Sequence, residues 1–449
     1  MVKIRRSDGA ARQRPWIGLT VLGALLVASV GIGLDRLIAE DSGGFVLAAF
    51  LQATVYLSAV WWIGRHGMRP GMTVVALIVA TVARAVALPA PPFLSTDVYR
   101  YVWDGRVQAA GLNPYRYVPG DSALAPLRDT AIYPNINRRG YAPTIYPPAA
   151  QAIFLIVTRF GETLLTMKLA MIAFEGVAML TLMELLAWRG QPASRVLIYA
   201  WHPLPIWEFA GTGHIDAAAI ALLCLSLLAA DRQQPGLTGV ALAAGALVKP
   251  FPLAIAPALW RRFDWKLPAA ALLTAALLYA PYLGVGSKVL GFLSRYGDEE
   301  GYYEGSGFYF VAVLRALGLP APSGPIYGGA ALVAFGALAA AIVLRPNPQN
   351  LRPTDTILLG SAYLLLTSPH YAWYFTWVIP LLCSALYPPL LYMTLLSFMI
   401  YLPRNTFFGS RFVVDSVIYG GFFLLALADF GARLASAKRG KDEQRQSGR

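Results

Sequence analysis

Two charged side chains stand where long apolar runs of the sequence break into polar turns. Asp97 follows the third apolar run and opens the segment STDVYRYVWDGR at 95–106. Lys249 interrupts another run directly before Pro250, a residue type that breaks helices. A carboxylate can accept a proton from a hydroxyl, and a buried ammonium group needs an anionic partner such as a phosphate. Lys249 therefore predicts a bound anion such as a phosphate, although it could also snorkel to a polar interface, and Asp97, at the membrane boundary, could merely cap a helix.

The segment after Asp97 has the spacing of an amphipathic helix. Its polar residues recur at i, i+3, i+7 and i+11, which places them on one helical face: Asp97, Arg100, Asp104 and Gln108. Such a helix suits a position along a membrane interface. Arg100 and Asp104 are candidates for supporting the site or for binding an acceptor, and a simple ion pair between them is the structural alternative.

A Gly-rich turn in WHPLPIWEFAGTGHID at 201–216 carries three more polar candidates. Glu208, His214 and Asp216 stand within nine positions of each other. His214 and Asp216 could orient a hydroxyl or a phosphate. A polar turn in which Asp216 caps the next helix explains the same residues equally well.

The elements that must position these residues are predicted to be transmembrane helices. The chain has 449 residues, of which 57% are hydrophobic and only 14% charged, against about 25% charged in soluble domains. The pattern predicts an all-α, polytopic bundle of about 12–14 spans. Candidate spans run near 16–38, 44–63, 72–89, 164–188, 194–209, 214–230, 236–248, 251–262, 267–284, 325–344, 355–367, 373–386, 389–402 and 412–432.

The distribution of basic residues predicts the orientation. If the short apolar piece 145–160 lies along the membrane without crossing it, both basic tails and most basic loops fall on one side, which the positive-inside rule makes cytoplasmic. The tails are 1–15 and 433–449, the second of which we expect to be disordered. The net charge of +13 therefore indicates topology and lipid contact and does not indicate nucleic acid.

The same topology gathers the chemically interesting residues on the opposite, extracytoplasmic face. Two large outer loops, 90–162 and 285–324, lie there. Arg404 and Arg411 are cations on this outer side, against the usual trend, and they favour binding of an anion. His370, in SPHYAWYFTW, also lies there. A lone histidine in an aromatic turn is more often an interfacial residue than a catalyst.

The loops themselves are candidates for holding ligands. Asn113 and Tyr146 lie in GLNPYRYVPGD and APTIYPPAAQAIF, stretches of a first loop whose aromatic content predicts order. Aromatic faces with amide and guanidinium donors suit a sugar, though an interfacial aromatic belt explains them almost as well. The acidic, aromatic stretch 294–310 suits a lid, or simply a solvated loop.

No signature of a nucleotide, zinc or disulfide site occurs in the sequence. It has no P-loop, GxSxG, HExxH or Rossmann fingerprint, and its two cysteines stand apart inside apolar runs. We therefore expect no cofactor and no resident metal.

With these motifs in view, the chain resembles the type-C membrane glycosyltransferases, most nearly glycosyltransferase family 87 and the bacterial polyprenyl-phosphate-mannose-dependent mannosyltransferases. The resemblance covers about 90–410. It is carried by the motifs STDVYRYVWDGR, GLNPYRY, TIYPPAAQ, GTGHID, ALVKPFPL and SPHYAWYFTW, in this order.

The resemblance implies a fold, a reaction and a location. Asp97 occupies the position of the family's catalytic base, and Lys249 and His370 would contact the phosphate and sugar of a lipid donor. Inverting transfer of a hexose, commonly mannose, would follow, to a lipid or glycan acceptor on the outer face of the bacterial cytoplasmic membrane. This chain has two spans ahead of the one leading to Asp97 and lacks a DxD pair there, which makes a divalent metal doubtful.

A transporter or flippase of a lipid-linked sugar is the alternative function. Transporters place polar residues near the midplane, often within inverted repeats. Here the polar residues cluster at one face and no internal repeat is visible, which favours the transferase. A polymerase or ligase with diphosphate-linked donors would use outer loops as well.

Overall fold

The computed structural model describes residues 15–66, 70–260, 264–345 and 351–447. The predicted basic tail 1–15 lies, apart from Pro15, outside these residues. The prediction of an all-α fold is confirmed, because 74% of the chain is helical and the described part contains no strand.

The N-terminal half begins with three long helices and an outer segment that carries two shorter ones. The α-helices are α1 Pro15–Ile38, α2 Ser42–His66, α3 Pro70–Ala87, α4 Asp97–Ala109, α5 Pro148–Thr158, α6 Leu164–Trp188, α7 Leu197–Ala200, α8 Pro203–Pro205, α9 Asp216–Asp231 and α10 Pro235–Ala246. Short 3₁₀ helices cover Ser122–Leu127, Tyr133–Asn135 and Ala193–Val196, and a π-helical turn covers Ile206–Gly211.

The C-terminal half is more broken. Its α-helices are α11 Ala256–Leu259, α12 Lys266–Tyr279, α13 Leu293–Glu299, α14 Tyr309–Ala316, α15 Gly324–Val343, α16 Pro353–Thr367, α17 Ile379–Ser384, α18 Pro388–Leu396, α19 Arg411–Asp415 and α20 Gly421–Ser447. The 3₁₀ helices are Phe251–Ile255, Ala280–Leu290, Ala372–Val378 and Ser397–Tyr401, and a second π-helical turn is Ser416–Gly420.

Six of the described helical stretches are long and apolar enough to cross a membrane. They are Trp16–Ile38, Ser42–His66, Leu164–Trp188, Lys266–Leu290, Gly324–Val343 and Arg411–Arg433. Shorter apolar helices accompany them, among them Gly71–Ala87 and Pro235–Ala246. These lengths and compositions indicate a membrane protein, and the count of about 12–14 spans stays a prediction.

Two local predictions were wrong. The predicted span 194–209 is not one continuous helix but a 3₁₀ turn, two short α pieces and a π turn, because Pro203 and Pro205 each remove a helical hydrogen bond. The tail from 433, which we expected to be disordered, continues α20 through Ser447.

The polar stripe of α4 is also placed differently from the prediction. The helix forms as expected, yet Arg100 and Asp104 are buried, at 4% and 1% exposure, and do not face an interface. Helix α5 packs across α4 and covers this stripe. With 11 residues α5 is about 16 Å long, roughly half of a bilayer core, which agrees with the non-crossing interpretation of 145–160.

Candidate active site

A cavity of about 1420 Å³ lies where the outer loops meet the ends of the helices. Its wall brings together residues from the first outer loop, the break after α10, the acidic loop and the turn before Ala372–Val378. Six of the residues singled out from the sequence border it: Asp97, Arg100, Tyr146, Lys249, His370 and Arg404. Asp97 and Arg404, the first and last of these six, are 307 positions apart in the chain, yet both line this cavity.

Asp97 is the first residue of α4, and its partly buried carboxylate is held from both sides. Asn137 donates to Oδ1 at 2.6 Å, and the hydroxyl of Tyr146 donates to Oδ2 at 3.1 Å. The backbone N–H of Asp97 donates to Oγ of Ser95 at 3.3 Å. Two loop side chains therefore fix the orientation of the carboxylate at the cavity wall.

Lys249 forms an ion pair inside the protein. Its Nζ lies 3.3 Å from Oδ2 of Asp216, which is fully buried, and 4.8 Å from the ring centre of Tyr374. Burial lowers the pKa of Lys249, but Asp216, followed by Tyr374 and Asp97, more than reverses this, so the pKa is raised above its ordinary value. The cavity therefore presents a cation at physiological pH, and the buried carboxylate of Asp216 stabilises its charge.

His370 and the two arginines form a second basic group. His370 and Arg404 border the cavity, whereas Arg411 lies against the ring of His370, with Nη2 2.6 Å from Nε2. Burial and the neighbouring Arg411 guanidinium lower the pKa of His370 to about 3. His370 is therefore a neutral imidazole at physiological pH. Arg411 also pairs with Asp415 at 3.6 Å.

Glu208 and His214 lie in a buried layer behind Asp97. Nδ1 of His214 is 3.0 Å from Oε2 of Glu208, and Nε2 is 3.2 Å from Oγ of Ser95. The hydroxyl of Tyr401 donates to Oε1 of Glu208 at 2.6 Å. The side chains of Glu208 and His214 are at most 1% exposed. This chain of contacts ends at Ser95 next to Asp97, so Glu208 and His214 support the site from behind.

Asp104 binds within the first outer loop, and Asn113 attaches this loop to the 3₁₀ helix Ala280–Leu290. Asp104 pairs with Arg100 at 2.8 Å and accepts a hydrogen bond from Gln151 of α5 at 3.0 Å. Asn113 donates to the carbonyl of Tyr282 at 3.1 Å. The ion pair that was the structural alternative is present within α4, and the hydrogen bond from Gln151 to Asp104 fastens α5 to α4.

The acidic loop covers the cavity. Tyr296 and Glu300 border it, and Glu300 is 7% exposed. Glu299 accepts from Arg138 at 2.6 Å, and Glu300 accepts from the hydroxyl of Tyr371 at 3.0 Å. The two adjacent carboxylates therefore attach the loop to the first outer loop and to the 371–374 turn.

Part of the cavity wall is apolar. Leu253, Ala331, Leu332 and Phe335 border it, and Leu253 and Leu332 are themselves exposed. In the most apolar window of Lys266–Leu290 and in that of Gly324–Val343, only 6% of the residues are buried. The cavity thus combines the charged side chains of Asp97 and Lys249 with apolar side chains, some of which belong to helices with largely exposed surfaces.

Four residues of the site were not singled out from the sequence. Asn137 stands in a polar loop stretch with no periodicity, and only its hydrogen bond to Asp97 identifies it. Trp373, Tyr374 and Tyr401 belong to aromatic stretches that an interfacial belt explains. The available sequence signal was that Tyr374 and Lys249 each stand close to a proline, Pro369 and Pro250, in the predicted outer turns.

A comparison with protein-family models identifies the family of the chain. A family model described as "Alpha-(1->6)-mannopyranosyltransferase, N-terminal domain" (the MptA_B family) matches residues 16–261, more than half of the chain. No curated protein and no solved structure matches. The match includes Asp97, Glu208, His214, Asp216 and Lys249. The resemblance to the type-C mannosyltransferases is thereby confirmed, and the chain belongs to the alpha-(1->6)-mannopyranosyltransferase family.

Proposed function

We propose that this protein transfers mannose, with inversion, from a polyprenyl-phosphate donor to a lipid or polysaccharide acceptor on the outer face of the cytoplasmic membrane. Family membership supports mannosyl transfer itself. The observation that carries the finer proposal is the cavity, whose lining combines Asp97 and Lys249 with apolar side chains.

The charged end suits a phosphate linked to a sugar. Lys249 supplies a cation whose charge Asp216 maintains, and Arg404 supplies a second at the same wall. The neutral His370 can accept or donate one hydrogen bond without adding charge. Cations stabilise the negative charge that develops on a departing phosphate, which is the usual source of rate in such transfers.

Asp97 is placed to serve as the general base. It accepts the proton of the acceptor hydroxyl as that oxygen attacks the anomeric carbon with its electron pair. The bond between the anomeric carbon and the phosphate oxygen breaks, and the phosphate leaves with the bonding electrons near Lys249. A single displacement inverts the centre, so a β-linked donor gives an α-linked product. The family description suggests the 6-hydroxyl of a mannose as the acceptor.

The apolar lining residues suit the isoprenoid chain of the donor. A long hydrocarbon tail must stay in the bilayer while its phosphate reaches Lys249. The poorly buried stretches Lys266–Leu290 and Gly324–Val343 would border the lipid, and Ala331 and Phe335 of the second stretch line the cavity. This arrangement lets a lipid donor enter sideways from the outer leaflet with its tail still in hydrocarbon.

Transfer from a labelled donor tests the proposal. Wild type, Asp97→Asn and Asp298→Asn are purified and supplied with radiolabelled polyprenyl-phosphate mannose and a membrane lipid extract. Asp298 is exposed on the acidic loop and serves as the matched carboxylate control. We expect transfer by wild type and by Asp298→Asn, and a loss of about 10²- to 10⁴-fold in Asp97→Asn.

Two results would count against the proposal. Equal transfer by all three proteins would remove Asp97 from the chemistry. If wild type transfers no label but moves the donor across liposome membranes, the protein is a flippase of a lipid-linked sugar.

A further inference from the structure

Arg138 presents a guanidinium group to the cavity from the same loop that holds the proposed base. The residue lines the cavity, and 29% of its side chain is exposed, so a ligand can reach it. The preceding residue, Asn137, donates the hydrogen bond to Asp97, and Asp97 lies within electrostatic range of the guanidinium. A molecule that binds to Arg138 is therefore held close to the carboxylate of Asp97.

The backbone of Arg138 adopts a conformation that is unfavourable for this residue type. Its φ angle of 52° lies in the left-handed region, which residues other than glycine rarely occupy. Strained residues of this kind are found mostly at functional sites. The strain identifies no ligand by itself, but together with the position in the cavity it marks Arg138 as a candidate for binding one.

The ion pair with Glu299 leaves most of the guanidinium available. Nε of Arg138 lies 2.6 Å from Oε2 of Glu299, whereas the buried Arg84 binds Glu175 with both Nε and Nη2. The hydroxyl of Tyr141 donates to Oε1 of Glu299 at 2.9 Å and also interacts with Arg138. A guanidinium group has five N–H donors in a planar fork. Nη1 and Nη2 of Arg138 bind no carboxylate in the described part of the chain, so N–H donors remain for a ligand.

The charges around Arg138 suit an uncharged ligand better than a phosphate. Glu299 pairs with Arg138, and Glu300 lines the same cavity. Tyr371 lies near both charges, because its hydroxyl donates to Glu300 at 3.0 Å and is within electrostatic range of Arg138. Two carboxylates against one guanidinium make these surroundings negative, which disfavours an anion and not a neutral sugar. The phosphate of the donor is better placed at Lys249.

We propose that the guanidinium of Arg138 donates hydrogen bonds to hydroxyl oxygens of an uncharged acceptor sugar and holds this sugar against Asp97. The inference rests on the proposed function, since it names a contact to the acceptor of that reaction. The acceptor is the reactant whose hydroxyl has to lie within hydrogen-bond reach of the base. A planar fork can bind two neighbouring oxygens at once, which fixes the orientation of the sugar as well as its position.

The test compares acceptors of known structure with a single donor. Radiolabelled polyprenyl-phosphate mannose is supplied with hexyl α-mannoside or with its 2-, 3- or 4-deoxy form, each of which keeps the 6-hydroxyl. We expect Arg138→Gln to raise KM for hexyl α-mannoside about 10- to 100-fold, as is usual for hydrogen bonds from a charged group. In wild type at least one deoxy acceptor should show a similar rise. In Arg138→Gln the difference between that deoxy acceptor and hexyl α-mannoside should vanish.

Two control variants separate this contact from the attachment of the acidic loop. Glu299→Gln removes the ion pair and keeps the guanidinium, so KM for the acceptor should change less than about 5-fold. Arg139→Gln should retain wild-type values, since Arg139 is exposed and donates to the carbonyl of Pro134.

A conservative variant and a binding measurement guard against a folding defect. Arg138→Lys keeps the charge that pairs with Glu299 and loses the planar fork, so the difference between the deoxy acceptor and hexyl α-mannoside should shrink here too. Equilibrium binding of the labelled donor without acceptor reports on the fold. We expect the donor Kd of Arg138→Gln to rise no more than that of Glu299→Gln.

The outcomes separate this inference from the function beneath it. The inference is wrong if Arg138→Gln weakens donor binding and leaves KM for the acceptor unchanged, or if Glu299→Gln raises KM for the acceptor as much as Arg138→Gln does. It is equally wrong if Arg138→Gln preserves the differences among the deoxy acceptors. Transfer by wild type to a lipid extract but not to hexyl α-mannoside would refute the inference and leave the proposed function standing. If wild type transfers no label at all, the proposed function fails and the inference falls with it.

Discussion

Asn137 donates a hydrogen bond to Asp97 from 40 residues further along the chain, with Nδ2 2.6 Å from Oδ1. The next residue, Arg138, pairs with Glu299 of the acidic loop at 2.6 Å. The acidic loop that covers the cavity is therefore connected to the carboxylate of the proposed base through two adjacent residues, Arg138 and Asn137.

Loss of the Asn137 amide should impair catalysis more than binding. We expect Asn137→Ala to lower kcat by about 10- to 100-fold with little change in KM, because a carboxylate free to rotate is misplaced for proton transfer. Asn135→Ala is the control, since Asn135 is exposed and its amide donates to the carbonyl of Ala131. Comparable losses in the two variants would show that the loop, and not the contact to Asp97, is what matters.

Removal of the carboxylate behind Lys249 should alter the pH dependence. Asp216 raises the pKa of Lys249 while burial lowers it, so Asp216→Asn lowers this pKa. Lys249 then loses its proton at a lower pH, and the alkaline limb of the kcat/KM profile moves to lower pH. Asp298→Asn should leave the profile in place. An unchanged alkaline limb in Asp216→Asn would mean that Lys249 does not need its charge.

The contact between the acidic loop and Arg138 should affect donor capture. We expect Glu299→Gln to raise KM for the donor about 2- to 5-fold, as is usual for a partly exposed ion pair, and to make KM less sensitive to salt. Glu304→Gln, an exposed neighbour on the same loop, should change neither quantity. A lower KM in Glu299→Gln would indicate that the closed loop hinders entry of the donor.

The buried ion pair between α3 and α6 should matter for stability and not for the reaction. Arg84 and Glu175 are 2% and 0% exposed in their side chains, and Arg84 Nε lies 2.8 Å from Glu175 Oε2. We expect Glu175→Ala to lower the free energy of unfolding by about 3–5 kcal/mol, because it leaves a buried unpaired guanidinium.

Thermal unfolding in detergent measures this effect. The control is Asp41→Asn, which removes the charge from an exposed pair with Arg36 and should cost less than about 1 kcal/mol. Arg84→Met combined with Glu175→Leu should recover much of the loss, since the replacement is then apolar on both sides. A double variant as unstable as Glu175→Ala would contradict this account.

The sequence predicted well wherever hydrophobicity alone decides. Helix α6 begins and ends at the predicted residues, 164 and 188, because a long apolar run has no competing structure. Asp97 and Lys249 were identified for a different reason. A charged side chain at the end of an apolar run costs free energy, and such residues commonly mark a functional site. The prediction failed for 194–209, where prolines outweigh hydrophobicity, and for the α4 stripe, whose polar residues α5 covers.

By itself the sequence determined the helical class, the apolar stretches and the gathering of polar turns on one predicted face. These follow from composition and local periodicity, which can be read directly from a short stretch of sequence. Only the tertiary structure decided that Asn137 holds Asp97, that Asp216 lies behind Lys249, and that His214 and Tyr371 enclose Trp373. Asn137 and Asp97 are 40 positions apart, Asp216 and Lys249 are 33 apart, and His214 and Trp373 are 159 apart. Tyr371 is close to Trp373 in the sequence, but the stack of the three rings includes His214 from a distant segment. Such contacts depend on how helices pack, and a single sequence does not record that.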